Sequence, residues 1–119
     1  MTIHVPNINQ RHTIPLQAID DVVRQIASKF KPQKIILFGS YARHQPRHES
    51  DVDLLVIMDT PLTETEQSVH ILQSIDYHFG LDLLVRKPDN LSRRLALGDS
   101  FLQEIIATGR IIYERTNGL

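Results

Sequence analysis

The spacing of apolar residues changes several times along the chain, and each change predicts a different element. Between residues 15 and 30 the apolar positions recur at intervals of three and four, which is typical of an amphipathic helix. Thr13 is a candidate cap for this helix, and Pro15 suits its first turn. Because proline does not continue a helix, Pro32 requires the helix to end before it.

Short apolar runs bounded by glycine, proline or polar residues predict strands at residues 34–38, 51–58, 81–85 and 111–113. Further helices are predicted over residues 63–79, 89–97 and 99–108. The first of these opens with a capping box at Thr63 and Glu66 and ends at Gly80, and the last has Asp99 or Ser100 as its cap. The fold class is therefore α/β (α+β), with a mixed sheet of about four strands flanked by helices. We assign residues 15–115 to one domain and residues 1–14 to a flexible N-terminal arm.

Composition narrows the class of protein without naming a function. A length of 119 residues is that of a single domain, and a net charge of -1 gives no basis for direct nucleic-acid binding. There is no cysteine, and neither a signal peptide nor a membrane span is apparent in the sequence. We therefore expect a soluble cytoplasmic protein.

Two carboxylates, Asp51 and Asp53, open the second predicted strand. Residues two apart on a strand share a face, so these side chains project together with α-carbons about 6.6 Å apart. Two oxygen ligands so placed can share divalent ions, and hard oxygen ligands favour Mg²⁺ or Mn²⁺. The plainer alternative is a turn residue followed by a surface charge.

A third carboxylate, Asp82, lies inside the apolar run of residues 81–85. We expect it to be buried, and an ionised carboxylate buried without a partner is costly. A metal ion shared with Asp51 and Asp53 would neutralise it if the two strands are neighbours. The alternative is a salt bridge to Arg24 or Arg94.

A phosphate-binding turn is predicted where the first strand ends. Gly39 lets a phosphate approach the backbone, and Ser40 offers a hydroxyl and an amide at the start of a helical turn. Arg43 lies three residues on, within reach of a triphosphate if the turn is helical. Residues 45–50 are polar and contain a proline, which predicts an exposed loop.

Together these residues resemble the DNA polymerase beta type nucleotidyltransferase superfamily. Gly39 and Ser40, ten further residues, and Asp51-x-Asp53 match its signature without a gap. Within the superfamily the chain looks like the minimal nucleotidyltransferases, including the MntA-type antitoxins that pair with HEPN-domain ribonuclease toxins. Many relatives carry glycine where this chain has His44, and histidine takes a left-handed conformation less readily than glycine.

The resemblance implies a role for each site residue. Gly39, Ser40 and Arg43 would hold the phosphates of ATP. Asp51, Asp53 and Asp82 would bind two Mg²⁺ ions, with Mn²⁺ as the alternative metal, and Asp82 would accept the proton of the attacking hydroxyl.

Three functions follow from this resemblance. The first is an antitoxin that transfers AMP from ATP to a tyrosine of a HEPN ribonuclease toxin with release of pyrophosphate, as a hetero- or homo-oligomer. The second is a small-molecule nucleotidyltransferase like the enzymes that modify aminoglycosides, which carry a substrate-binding region that this sequence lacks. The third is a non-catalytic partner that only senses nucleotide.

Overall fold

The computed structural model describes residues 13–44, 46 and 51–116, and they form one four-stranded sheet with helices on both faces. The elements in chain order are α1 (Leu16–Phe30), β1 (Lys34–Phe38), β2 (Val52–Ile57), α2 (Glu64–Ser74), β3 (Leu81–Arg86), α3 (Pro88–Ala96), α4 (Ser100–Thr108) and β4 (Arg110–Glu114). The predicted fold class is confirmed. Apart from residues 13, 14 and 46, the predicted arm and loop lie outside the described residues. None of the helices described here is long and apolar enough to cross a membrane.

The sheet is mixed, with the strand order β3-β2-β1-β4. Strand β1 runs antiparallel to both β2 and β4, while β2 and β3 are parallel. The β2 strand lies inside the sheet and is buried at every position except Asp53, as its apolar sequence predicts. The β3 strand lies at one edge, and its burial alternates along the strand.

The two faces of the sheet pack against different helices. On one face, a large apolar cluster joins Val52, Leu54 and Val56 of β2 to residues of α1 and α2. On the opposite face, a smaller cluster joins Leu55 and Ile57 to residues of α3 and α4. This alternation follows the period of two along a strand.

The sequence predicts the caps of α2 and α4. Oγ1 of Thr63 accepts a hydrogen bond from the Glu66 N–H, and Oδ1 of Asp99 accepts one from the Leu102 N–H, each at 3.1 Å. The prediction for α1 is wrong, because Pro15 and not Thr13 occupies its N-cap position.

The predicted end of α2 at Gly80 is also wrong, because the helix ends at Ser74 and Ile75 is extended. The Gln25 side chain on α1 accepts a hydrogen bond from the N–H of Asp76 at 2.7 Å and donates one to its C=O at 2.9 Å. These tertiary bonds occupy backbone groups that a longer helix would need for itself. Sequence periodicity alone does not reveal such bonds.

Candidate active site

Two of the predicted acids lie in one row across the sheet. Phe38 of β1 pairs in register with Asp53 of β2, and Asp53 pairs with Asp82 of β3. Register partners share a face, and here it is the face that α3 and α4 cover. The neighbouring row on this face is apolar and contains Ile36, Leu55 and Leu84. The row that contains Asp53 and Asp82 therefore follows directly after an apolar row of the core and lies at the end of the paired strands.

Gly39 lies directly against the Asp53 carboxylate. A Cβ atom at position 39 would overlap Oδ2 of Asp53. The backbone of Gly39 also has a φ of 76°, a left-handed conformation that favours glycine. The glycine of the predicted phosphate turn therefore also makes room for the neighbouring acid.

Gly80 has the same relation to Asp51. A Cβ atom at position 80 would overlap Oδ1 of Asp51, and the Gly80 C=O accepts a hydrogen bond from the Val52 N–H at 2.9 Å. The sequence does not predict this contact, because its periodicity places Gly80 at the end of a helix. The available signal was a glycine directly before the strand that carries the third acid.

The prediction that Asp82 is buried is wrong, because its side chain is exposed. The β3 strand lies at the sheet edge, and residue 82 belongs to the row where the helical cover ends. The alternative salt bridges are not formed either. Arg24 pairs with Asp20 at 2.5 Å, and Arg94 pairs with Asp99 at 2.9 Å. The hypothesis that Asp82 is a site residue therefore rests on its position opposite Asp53, and not on the cost of burying its charge.

The surroundings of Asp53 raise the pKa of its carboxyl. Burial, followed by the negative charge of Asp82 and a hydrogen bond between the two carboxyls, raises the pKa of Asp53 from 3.8 to about 6. The charge of Asp51 raises the pKa further, and the guanidinium of Arg43 opposes the change. The three acids and Arg43 therefore form one electrostatic unit.

The predicted set of three metal ligands is only partly assembled. Within the described ranges, no group of three or more histidine, aspartate or glutamate side chains is arranged to hold an ion. The Asp53 and Asp82 carboxyls lie within hydrogen-bond reach of each other, whereas Asp51 lies against Gly80. Mg²⁺ is commonly held by one or two carboxylates, water and substrate phosphate. The Asp53–Asp82 pair fits that donor set, and its mutual repulsion would be relieved by a cation.

The turn after β1 forms as its sequence predicts. The N–H of Arg43 donates to the C=O of Gly39 at 3.3 Å, and the N–H of His44 donates to that of Tyr41 at 3.4 Å. His44 adopts the left-handed conformation with a φ of 56°, and a 3.0 Å hydrogen bond joins Nε2 of His44 to Nη1 of Arg110. Histidine therefore closes the turn in a conformation that glycine adopts more readily.

An open cavity of about 460 Å³ lies beside these residues. Gly39, Arg43, Asp53 and Asp82 line it, whereas Ser40 and Asp51 do not. The cavity is also lined by residues that the sequence does not single out, among them Phe101, Glu104 and Thr108 of α4. The sequence predicts helix α4, but only its packing shows which of its residues face the acids.

This arrangement agrees with a comparison of the chain with known families. Residues 21–117 match the family model described as "Polymerase beta, Nucleotidyltransferase". The chain belongs to this nucleotidyltransferase family. It is an enzyme of that class.

Relatives of this nucleotidyltransferase include two proteins of Methanocaldococcus jannaschii. "Putative protein adenylyltransferase MJ0604" is 28% identical over 101 residues, which cover 82% of this chain and 96% of that protein. "Putative protein adenylyltransferase MJ1379" is 30% identical over 79 residues, which cover 60% of this chain and 79% of that protein.

A crystal structure supports the fold. A "putative nucleotidyltransferase" from Sulfolobus solfataricus superposes with a TM-score of 0.61 at 18% identity, covering 94% of this chain and 88% of that one. The similarity extends through the sheet and its helices, in agreement with a nucleotidyltransferase fold.

Proposed function

We propose that this nucleotidyltransferase is a protein adenylyltransferase that transfers AMP from ATP to a tyrosine of a HEPN ribonuclease toxin and thereby acts as its antitoxin. The observation that carries the proposal is the row formed by Asp53 and Asp82 beside Gly39, facing an open cavity. The two M. jannaschii relatives, both named as protein adenylyltransferases, support a protein as the acceptor.

In this proposal different residues hold the phosphates and the metal ions. Gly39, Ser40 and Arg43 bind the triphosphate through backbone amides, a hydroxyl and a guanidinium. Asp53 and Asp82, together with Asp51, would hold the divalent ions, Mg²⁺ or Mn²⁺. When bound, these ions neutralise the negative charge of the phosphates.

The reaction is an in-line displacement at phosphorus. The tyrosine oxygen forms a bond to the α-phosphorus while the bond from that phosphorus to the bridging oxygen of the β-phosphate breaks, and pyrophosphate leaves. The hydroxyl proton passes to the carboxylate of Asp82, which is exposed at the cavity and hydrogen-bonds to Asp53. Most of the rate enhancement comes from positioning and charge neutralisation.

The test is incubation of the chain with ATP, Mg²⁺ and the product of the adjacent gene, followed by intact mass spectrometry. The expected result is a gain of one or more AMP units on the partner, located on a tyrosine by peptide mapping. Asp53→Asn should remove the gain. Asp59→Asn is the matched control, because Asp59 is an exposed acid just beyond β2 that does not line the cavity.

Two results would contradict the proposal. Modification of small hydroxyl compounds with none on the partner would assign the chain to the small-molecule nucleotidyltransferases. Full protection of cells from the toxin by Asp53→Asn would favour a partner that senses nucleotide without transferring it.

A further inference from the structure

Phe101 is an aromatic residue that the mechanism above does not use. Its side chain is 50% exposed, although it lies on α4 beside the well-buried Leu102. Its ring is nearly perpendicular to that of Phe38, with centroids 6.0 Å apart. Phe38 therefore does not stack on Phe101, and about half of the Phe101 side chain is left open. Isolated exposed apolar residues are common, so exposure alone does not indicate a function for Phe101, and its location must be considered.

Phe101 borders the cavity that also contains the acids. Phe101, Glu104 and Thr108 of α4 line this cavity at spacings of three and four residues, which places them along one side of the helix. The cavity continues from them to Asp53 and Asp82. A ligand whose phosphates lie at the acids therefore has an aromatic wall within the same cavity.

The polar groups on this wall favour hydrogen-bond donors. Glu104 accepts a hydrogen bond through its backbone C=O, and its residue is exposed and lines the cavity. The Thr108 hydroxyl donates to the C=O of Glu104 at 2.8 Å, so its proton is already used. An ionised carboxylate accepts hydrogen bonds and donates none, so Glu104 suits an amino group.

We propose that Phe101 and Glu104 form the nucleobase subsite, in which the base stacks on Phe101 and its exocyclic amino group donates to Glu104. This inference rests on the proposed function, because it requires a nucleoside triphosphate at the acids. A nucleobase has apolar faces and a polar edge, which matches an aromatic ring and a carboxylate one helical turn apart. Adenine carries such an amino group and uracil does not, so the subsite favours ATP over UTP.

The first test separates binding of the base from binding of the phosphates. Affinities for ATP and for inorganic tripolyphosphate are measured by calorimetry with Mg²⁺, using the whole chain and Phe101→Ala. Since stacking on an aromatic residue contributes about 1 to 3 kcal/mol, ATP affinity should fall about 5- to 150-fold. Tripolyphosphate affinity should not change. Ile106→Ala is the matched control, because Ile106 is a 44% exposed apolar residue on the same helix and does not line the cavity.

The other outcomes would contradict either the proposed function or the nucleobase subsite. If the wild-type chain does not bind ATP, the proposed function fails and the subsite fails with it. If the chain binds ATP and Phe101→Ala leaves the affinity unchanged, or weakens both ligands equally, only the subsite fails. A raised KM for the protein acceptor with unchanged ATP affinity would assign this wall to the acceptor instead.

The second test concerns Glu104. The wild-type chain should bind ATP about tenfold more tightly than UTP, and Glu104→Ala should reduce that ratio towards one, because each base contact contributes about 1 to 3 kcal/mol of discrimination. The ratio is the correct readout, since loss of a negative charge affects both nucleotides alike. An unchanged ratio in Glu104→Ala, or no preference in the wild-type chain, overturns the role of Glu104.

Discussion

The two faces of β2 carry the same alternation of residues but end differently. On the face towards α1 and α2, Val52, Leu54 and Val56 are all fully buried, so the apolar core continues to the end of the strand. On the face towards α3 and α4, Leu55 and Ile57 are buried, but the next position is Asp53. One face of β2 therefore contributes mainly to stability. On the other face, the last position of β2 is the charged Asp53, which lines a cavity.

Asp53→Asn should have the largest effect, because it removes one of the two carboxylates in the row of Asp53 and Asp82 and keeps the shape of the side chain. Transfer activity should fall roughly a hundredfold to a thousandfold, the range expected when a group that stabilises charge is lost from an active site. Single-turnover assays measure this, and circular dichroism checks that the fold is unchanged. A loss below about fivefold would show that the chemistry does not depend on this row.

Leu54→Ala tests the opposite face at the adjacent position. The substitution leaves a cavity in the large apolar cluster, so the free energy of unfolding should fall by about 2 to 5 kcal/mol. Activity per folded molecule should remain near the wild-type value. Urea denaturation combined with activity assays at low urea checks both statements. A strong loss of activity in the folded variant would contradict the division of roles between the faces.

Gly80→Ala tests the contact between Gly80 and Asp51. The added methyl group would displace the Asp51 carboxylate, so activity should fall roughly tenfold, equivalent to about 1.4 kcal/mol. Gly98→Ala is the matched control, because a Cβ there would contact nothing within 4 Å and the φ of 87° makes its cost purely a backbone cost of about 1 kcal/mol. The control should lose stability and keep activity. Equal losses of activity in the two variants would contradict the role of Gly80.

The smallest effect concerns pH. Because the pKa of Asp53 is raised to about 6 in the folded protein, the folded state holds this proton more tightly than the unfolded chain. Its contribution to stability is therefore complete below about pH 3.8 and is lost as the pH rises through about 6. Without divalent ions, Asp53→Asn should become more stable relative to wild type over that range, on the order of 1 kcal/mol after allowance for solvent screening. A stability difference that does not change with pH would contradict this assignment.

Asp99 should show the opposite dependence of stability on pH. A hydrogen bond from the Leu102 N–H, together with the Arg94 guanidinium, lowers the pKa of Asp99 below 3.8. Its contribution is therefore present above that value and is lost as the pH falls through the lowered pKa. Asp99→Asn should be less stable than wild type at neutral pH, and the difference should shrink in acid. The same denaturation series measures both variants.

The sequence predicts those parts of the fold that depend on local pattern. The run of apolar residues in β2, the cap at Thr63 and the spacing from Gly39 to Asp53 all depend on neighbours in sequence, and each leads to the observed element. Asp82 shows the limit of this reasoning. Its apolar neighbours suggest burial, but its exposure depends on where the helical cover stops.

The sequence pattern also does not predict contacts between residues that are far apart in the chain. The end of α2 depends on Gln25, which is 51 residues from Asp76. The role of Gly80 depends on Asp51, and the cavity wall at Phe101 depends on how α4 packs on the sheet. In each case the contact joins residues that are far apart in sequence, so the periodicity of one segment does not predict it.

We expect the row of Asp53 and Asp82 to carry out nucleotidyl transfer to a protein. The most direct test uses ATP labelled at either the α- or the γ-phosphate, with Mg²⁺ and the partner protein. We expect the α-label to appear on the partner and the γ-label to leave with pyrophosphate, and we expect Asp53→Asn to transfer neither. Transfer of the γ-label, or equal α-labelling by wild type and Asp53→Asn, would contradict it.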